Sequence, residues 1–106
     1  MDLGELTLEK ALPLVGTNFD VTLPDGGTTS VKLDEALTLD VRQRRRPRGE
    51  PKMKREPFSL YFLGDPKILL PQGTYDFNSE AVQFQGLFIV PIGHDEEATE
   101  YEAVFT

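Results

Sequence analysis

Apolar and polar residues alternate along most of the chain after Gly16, and a period of two is typical of strands with one buried face. The alternation falls into six runs, separated mostly by short turns rich in glycine, proline, asparagine and aspartate. The apolar positions of these runs extend over residues 19–23, 31–41, 58–62, 75–77, 82–92 and 101–105. Strands joined by short turns pair antiparallel. The pattern therefore predicts an all-β fold, a small antiparallel six-stranded barrel or roll.

The residues before Gly16 are predicted to form one short helix. Thr7 is a good N-cap for a helix that starts at Leu8, and Pro13 limits this helix to one or two turns. Its apolar residues Leu8, Leu12 and Val15 are expected to lie on one face. We expect the helix to cap one opening of the barrel.

The phase of the strands predicts which side chains fill the interior, because residues two apart face the same side of a sheet. On this ground, six aromatic residues are predicted to meet in one core cluster: Phe58, Phe62, Phe84, Phe88, Tyr101 and Phe105. Gly86 falls in the same phase as Phe84 and Phe88, where it indicates a bend or a close approach of backbone.

Residues 87–92 are apolar in both phases, so the outer face of this strand also needs a partner. The outward phase of the neighbouring runs is predicted to hold Tyr61, Leu63, Leu87, Ile89 and Val104. The N-terminal helix can cover only part of this face. We expect the remaining patch, centred on Leu87 and Ile89, to contact another protein or a second copy of the chain.

Glu35 interrupts the apolar row of the second strand, and two interpretations are open. An inward-facing carboxylate would be perturbed as a catalytic acid is. A β-bulge at residues 34–36 would instead turn Glu35 outward and place Ala36 inside. We favour the bulge because long strands in small barrels commonly contain one.

Charge is distributed unevenly along the 106 residues, whose 11 basic and 18 acidic side chains give a formal net charge of −7. Eight bases fall within residues 42–55: Arg42, Arg44, Arg45, Arg46, Arg48, Lys52, Lys54 and Arg55. With Glu50 this segment carries +7, whereas three bases and 17 acids elsewhere carry −14. Its prolines and mutual repulsion predict that residues 42–56 form a mobile loop within a single domain, 1–106.

Three interpretations of the basic segment are open. It is a solvated loop, or it pairs with an acidic protein surface, such as residues 95–102 of a neighbouring copy. It could also bind the phosphates of a nucleic acid. The last reading is the weakest, because residues 42–55 contain no aromatic side chain on which bases could stack and the remaining chain is acidic.

Little in the sequence indicates catalysis. The chain contains no cysteine and a single histidine, His94, in the polar turn 93–97, and it contains no Gly-x-Ser-x-Gly motif. One imidazole among turn carboxylates is a weak metal site, and no cofactor-binding loop is present. We therefore predict no catalytic, metal or cofactor-binding residues. The longest apolar run has six residues, so we expect a cytoplasmic protein without a membrane span.

Several blocks of the chain resemble one known family. They are Leu14-Val15-Gly16-Thr17-Asn18-Phe19, Pro57-Phe58-Ser59-Leu60, Leu70-Pro71-Gln72-Gly73-Thr74-Tyr75, Leu87-Phe88-Ile89-Val90-Pro91-Ile92-Gly93 and Tyr101-Glu102-Ala103-Val104-Phe105. The chain is similar to small bacterial proteins grouped as domain of unknown function 6916, apart from residues 40–56. The resemblance implies no activity. It implies an accessory or structural role, since similar proteins are encoded near phage-tail-like proteins. Thr106 stands where family members end in asparagine.

Together, these observations predict a non-enzymatic module that acts by protein–protein contact. Two other functions remain as alternatives. The first is a nucleic-acid accessory protein that binds through residues 42–55. The second is a small hydrolase that uses Glu35 or His94.

Overall fold

The computed structural model describes residues 3–38 and 57–105, so the predicted mobile loop 42–56 lies outside the described residues. The six strands are β1 (Asn18–Thr22), β2 (Thr28–Thr38), β3 (Phe58–Gly64), β4 (Gly73–Asn78), β5 (Gln83–His94) and β6 (Thr99–Phe105). They form a closed antiparallel barrel in the order β1-β2-β3-β6-β5-β4. The prediction of a six-stranded antiparallel barrel is confirmed.

Because neighbouring strands run in opposite directions, the connections lie at two ends of the barrel. The upper end holds the β1–β2 turn, residues 65–72 between β3 and β4, and the β5–β6 turn. The lower end holds the N-terminal residues and the β4–β5 turn. Thr38, the last residue of β2, is paired with Phe58, the first residue of β3. The end of β2 and the start of β3 are therefore adjacent at the lower end.

The N-terminal segment consists of a 3-10 turn (Leu3–Glu5), helix α1 (Leu8–Ala11) and a second 3-10 turn (Leu12–Leu14). Thr7 is the N-cap, as predicted, and its Oγ1 accepts a hydrogen bond from the backbone N–H of Lys10 at 3.3 Å. Pro13 lies in the second 3-10 turn, where the α-helix has already ended.

The side chains that attach this segment to the barrel differ from those predicted. Leu6 and Ala11 are fully buried in the core, whereas Leu12 and Val15 are exposed, so the predicted apolar face was wrong. The reason is that α1 has only four residues, and the spacing of a longer helix does not apply. The segment contacts β2 and β5, which lie on opposite sides of the ring. It therefore caps the lower opening of the barrel.

A β-bulge in β2 confirms the favoured interpretation of Glu35. The pairing of β2 with β3 shifts between Leu33 and Glu35, so Asp34 is the extra residue. Glu35 is exposed and Ala36 takes the buried position, as predicted. The shift also turns Leu37 outward, where it is 48% exposed.

A second bulge, at Gly86, changes the phase of β5. The pairs on either side of the shift are Phe77 with Phe84 and Tyr75 with Leu87, so three steps along β5 match two along β4. Gly86 has φ +68°, a conformation that glycine adopts without strain. Its N–H donates a hydrogen bond to Asp76 Oδ1 at 2.9 Å. Phe84 and Leu87 consequently both point into the barrel.

This bulge reverses three of the predicted orientations. Leu87 and Ile89 are buried, with 2% and 0% exposure, so the prediction that they form an outward patch was wrong. Phe88, predicted to lie in the core, is 50% exposed. Because residues 87–92 are apolar in both phases, alternation alone does not distinguish the inner side from the outer side.

The other aromatic residues of the predicted cluster lie in one buried core. Phe19, which was not in that cluster, lies at its centre, with ring centroids 5.3 Å from Phe84 and 6.0 Å from Phe62. Towards the lower end, Phe58 and Phe105 stack with parallel rings 4.7 Å apart. Five of the six predicted members belong to the core: Phe58, Phe62, Phe84, Tyr101 and Phe105.

Candidate functional site

A row of side chains crosses four adjacent strands on the outside of the barrel, near the lower end. Leu37 of β2 pairs with Ser59 of β3, which in turn pairs with Val104 of β6. In β5, Val90 pairs with Glu102 of β6, and the same register continued by two residues brings Phe88 next to Val104. We call Leu37, Ser59, Val104 and Phe88 the outer row.

The apolar members of the outer row are exposed to solvent. Leu37, Val104 and Phe88 each keep about half of their surface accessible, at 48%, 50% and 50%. A single exposed apolar side chain on a protein surface needs no explanation, but Val104 and Phe88, on the neighbouring strands β6 and β5, form a small patch, which is typical of a contact surface. Leu37 lies on β2, on the opposite side of the ring from Phe88. The part of the outer row formed by Val104 and Phe88 is therefore the candidate site.

Ser59 lies between Leu37 and Val104 in the outer row and is only 1% exposed. Among residues 3–38 and 57–105, its Oγ has no partner at hydrogen-bond geometry, and its interaction with the Tyr61 hydroxyl acts to lower the pKa of that phenol, against the larger causes that raise it. A buried hydroxyl in this state destabilises the fold, because it has lost its bonds to water.

Acidic residues lie immediately above the outer row. The next outward row contains Glu35, Tyr61 and Glu102, and Glu100 pairs with Leu63 one row further up. We call Glu35, Glu100 and Glu102 the acidic flank. The Tyr61 hydroxyl donates a hydrogen bond to Glu102 Oε2 at 2.8 Å, and this bond is the main cause that raises the pKa of Tyr61.

The upper end adds more negative charge in the β5–β6 turn. Asp95 Oδ1 accepts hydrogen bonds from the N–H groups of Glu97, at 2.8 Å, and Ala98, at 2.9 Å. These bonds stabilise the carboxylate and hold the pKa of Asp95 below its ordinary value, Ala98 contributing most. In total, the described residues hold 14 acidic and three basic side chains, a net charge of −11.

The two residues of the hydrolase alternative are not brought together. Glu35 points outward from β2, whereas His94 is the last residue of β5, on the opposite side of the ring. His94 Nε2 is hydrogen-bonded to the carbonyl oxygen of Pro66 at 2.7 Å. Within residues 3–38 and 57–105, no cluster of three or more potential metal ligands is present.

Two shallow hollows lie away from the outer row. One, of about 430 Å³, lies beside His94 and is lined by Pro66, Lys67, Asp95 and Glu96. The other, of about 320 Å³, opens where β1 and β4 separate above the pair Val21 and Phe77. Both are open to solvent and shallow, unlike the enclosed pockets typical of small-molecule sites.

The candidate site in the structure differs in part from the site predicted from the sequence. The eight basic residues between Arg42 and Arg55 lie outside the described residues. Leu87 and Ile89 are in the core, and their neighbour Phe88 occupies the outer surface. Gly86 was the available signal, because a glycine inside a strand pattern often marks a bulge. Val104 was correctly placed outside.

Comparison with protein families identifies this small closed barrel as a member of one family. The family model for a domain of unknown function, DUF6916, matches residues 6–105. The chain belongs to this family, as its sequence resemblance implies. Neither the curated proteins nor the solved structures include a match to the chain. In the part of the chain that the structure describes, no helix is long and apolar enough to cross a membrane.

Proposed function

We propose that this protein is a non-enzymatic module that binds another protein in the bacterial cytoplasm. It would act as an accessory or structural part of a larger assembly, such as the phage-tail-like one that the family resemblance implies. The observation that carries the proposal is the pair of exposed apolar side chains in the outer row, Val104 and Phe88, beside Glu102 of the acidic flank.

This arrangement supports protein binding because stable contacts commonly have an apolar centre and a polar rim. Val104 and Phe88 would supply the centre, and Glu100 and Glu102 of the acidic flank would supply one side of the rim. A partner with an apolar patch bordered by lysine or arginine side chains would match both features.

The basic segment 42–55 would contribute a second contact. Its charge of +7 would attract an acidic protein surface and orient the approach. Nucleic acid is a weaker candidate partner, because the described barrel carries a net charge of −11 and would repel phosphate.

The test is recovery of partners by the tagged full-length protein from an extract of its natural host, at about 50 mM and about 300 mM salt. Phe88→Ser removes the largest apolar side chain of the outer row. Leu69→Ser is the matched control, since Leu69 is 60% exposed but lies at the upper end.

We expect one partner protein to be retained by the wild type and by the control, and to be lost from Phe88→Ser. Recovery that is equal for all three proteins would contradict the proposal. Retention of nuclease-sensitive material, with binding of the pure protein to single-stranded DNA or RNA at low salt, would favour the nucleic-acid alternative.

A further inference from the structure

The ladder between β1 and β4 ends at the pair Val21 and Phe77, although residues 73–76 of β4 lie further up. The same register, continued upwards, would place Pro24 opposite Thr74. Proline has no N–H and cannot complete an antiparallel pair. In the described part of the chain, residues 73–76 therefore have a neighbouring strand, β5, on one side and no paired strand on the other.

The β1–β2 turn directs the end of β1 away from β4. The N–H of Leu23 donates to the carbonyl oxygen of Gly27 at 2.8 Å, and the carbonyl oxygen of Leu23 accepts from the N–H of Gly26 at 3.0 Å. Both backbone groups of Leu23 are thus used within the turn. Because the backbone groups of successive residues in a strand point to opposite sides, those of Asp20 and Thr22 point towards β4.

The same alternation shows which backbone groups of β4 face the opening. Asn78 pairs with Asp20 of β1, so the N–H and C=O groups of Asp76 and Thr74 also point to the β1 side. On that side, the N–H and C=O of Thr74 have no partner among residues 3–38 and 57–105. Unpaired groups of this kind form a free sheet edge, to which an extended peptide can add as a further strand.

The opening between β1 and β4 is the hollow of about 320 Å³, which we call the edge site. Its apolar lining comes from Leu23, Pro24 and Tyr75, and Tyr75 is only 8% exposed. Its rim includes Asp76, whose Oδ1 accepts the hydrogen bond from Gly86. Within the described ranges, no lysine, arginine or histidine lines the site. A bound segment would therefore meet an apolar floor and a negatively charged rim.

We propose that the edge site binds an extended segment of another protein, which adds to β4 as a short antiparallel strand. Side chains of such a segment alternate between the two faces of the sheet. One phase would be apolar and would face Leu23 and Tyr75, and the other would carry lysine or arginine, which Asp76 attracts. The inference does not depend on the proposed function, because Phe88 and Val104 lie on the other side of β4.

The probe is a fluorescein-labelled synthetic peptide, selected from a phage-displayed library of short random peptides on the immobilised full chain. Fluorescence anisotropy measures its dissociation constant at several salt concentrations. We expect the selected sequences to alternate apolar and basic residues, and their affinity to fall as the salt concentration rises. A library that yields no binding peptide, or one that yields acidic peptides, would overturn the inference.

Thr74→Pro and Thr74→Ala are a matched pair of variants. Both remove the hydroxyl, but only proline removes the N–H, which points away from β5, so the β4–β5 ladder is kept. Peptide binding should weaken at least about tenfold in Thr74→Pro and stay within about twofold of the wild type in Thr74→Ala. Equal binding by the three proteins, each shown to be folded by circular dichroism, would overturn the inference. So would a dimer of the peptide-free wild type that Thr74→Pro abolishes in sedimentation velocity, because the occupant is then a second copy.

A second measurement uses the wild-type protein alone, with N-methylated forms of the selected peptide. Methylation removes an N–H and blocks pairing on the edge to which that N–H points. The added strand has β4 on one side only, so methylation of alternate residues in one phase should abolish binding, and methylation in the other phase should leave it unchanged. Equal effects of the two methylated peptides would contradict strand addition.

Asp76→Asn tests the charge of the rim. The amide oxygen can still accept the hydrogen bond from Gly86, whereas the negative charge is lost. Peptide binding should weaken about two- to fivefold and depend less on salt. Glu9→Gln is the matched control, since Glu9 is an exposed acidic residue of α1 at the lower end. Equal changes in the two variants would contradict the assignment of the basic phase to Asp76.

Discussion

The Tyr101 hydroxyl accepts a hydrogen bond from the backbone N–H of Leu70 at 3.0 Å. The same hydroxyl donates to the carbonyl oxygen of Ile68 at 3.2 Å. Tyr101 is a buried residue of β6, and the two contacts lie in the connection between β3 and β4. One side chain of the core thus holds the β3–β4 connection in place across the upper end of the barrel.

Tyr101→Phe should reduce the free energy of unfolding by about 1–3 kcal/mol, because it leaves the buried N–H of Leu70 without its acceptor. Urea denaturation measures the change. Tyr61→Phe is the control: its hydroxyl is bonded to a carboxylate near solvent, and its loss should cost less than about 1 kcal/mol. Equal losses would show that the bonds of Tyr101 are not a main support of the connection.

Stability should fall in strongly alkaline solution. Burial is the main cause that raises the pKa of Tyr101 above 10.0, and the hydrogen bond to Glu102 is the main cause for Tyr61. Both contributions are fully present below the unfolded-state pKa and are lost as the pH rises through the higher folded-state pKa. The urea midpoint should therefore decrease above about pH 10.

This decrease should be smaller in Tyr101→Phe than in the wild type, because the variant lacks one of the two phenols. Ultraviolet absorbance at alkaline pH follows ionisation of the phenols independently of unfolding. A midpoint whose dependence on pH is the same in the wild type and the variant would contradict the assignment to Tyr101.

Phe84 and Phe88 should respond very differently to truncation, although both are phenylalanines of β5. Phe84→Ala should cost about 3–5 kcal/mol, because Phe84 is fully buried and packs on Phe19. Phe88→Ala should cost less than about 1 kcal/mol, because the side chain is half exposed. Denaturant unfolding of the pair checks the phase of β5, and a larger loss for Phe88→Ala would contradict the position of the bulge.

Ser59→Ala should leave the barrel equally stable or make it more stable by about 1 kcal/mol. The substitution removes a buried Oγ that has no hydrogen-bond partner in the described part of the chain, and it keeps most of the side-chain volume. Thermal and urea unfolding measure the effect. Ser30→Ala, at an exposed position of β2, is the control and should change little. A clear loss of stability in Ser59→Ala would indicate that the hydroxyl has a partner.

Replacing Arg44, Arg45 and Arg46 by serine should lower the association rate with the partner and flatten its dependence on salt. Long-range attraction by exposed charges accelerates encounter and is screened by salt. The control replaces Lys10, Lys32 and Lys67 by serine, which removes equal charge from the described surface. Stopped-flow kinetics at several salt concentrations gives both quantities. Unchanged kinetics in the arginine variant would favour the interpretation that residues 42–55 are a solvated loop.

Much of the fold could be predicted because each strand except β5 has one clearly apolar phase. Polar residues in the opposite phase define the outside, and Glu35 was sufficient to indicate the bulge in β2. In β5 no polar residues mark the outer phase, since residues 87–92 are apolar throughout. Gly86 indicates irregularity there, but not which phase becomes the inner one.

The outer row was less accessible to sequence reasoning, because it depends on the register between strands that are distant in the chain. Leu37 and Val104 are separated by 67 positions and become neighbours through Ser59. A shift of one residue in either pairing would separate them. The acidic flank is assembled in the same way, from β2 and β6, whereas acidic residues in the β5–β6 turn are adjacent in sequence.

The barrel is closed between β1 and β4 by two residue pairs, Asp20 with Asn78 and Val21 with Phe77. The other contacts between neighbouring strands are longer. The ring therefore has one weak joint, and breaking it converts the closed barrel into a curled open sheet while the other ladders stay intact. Transient opening of this kind starts at the joint, because the fewest residue pairs between strands are broken there. We expect amide hydrogens shielded only by this joint to exchange with solvent through a local fluctuation, and those in the β3–β6 ladder to require unfolding of the whole domain.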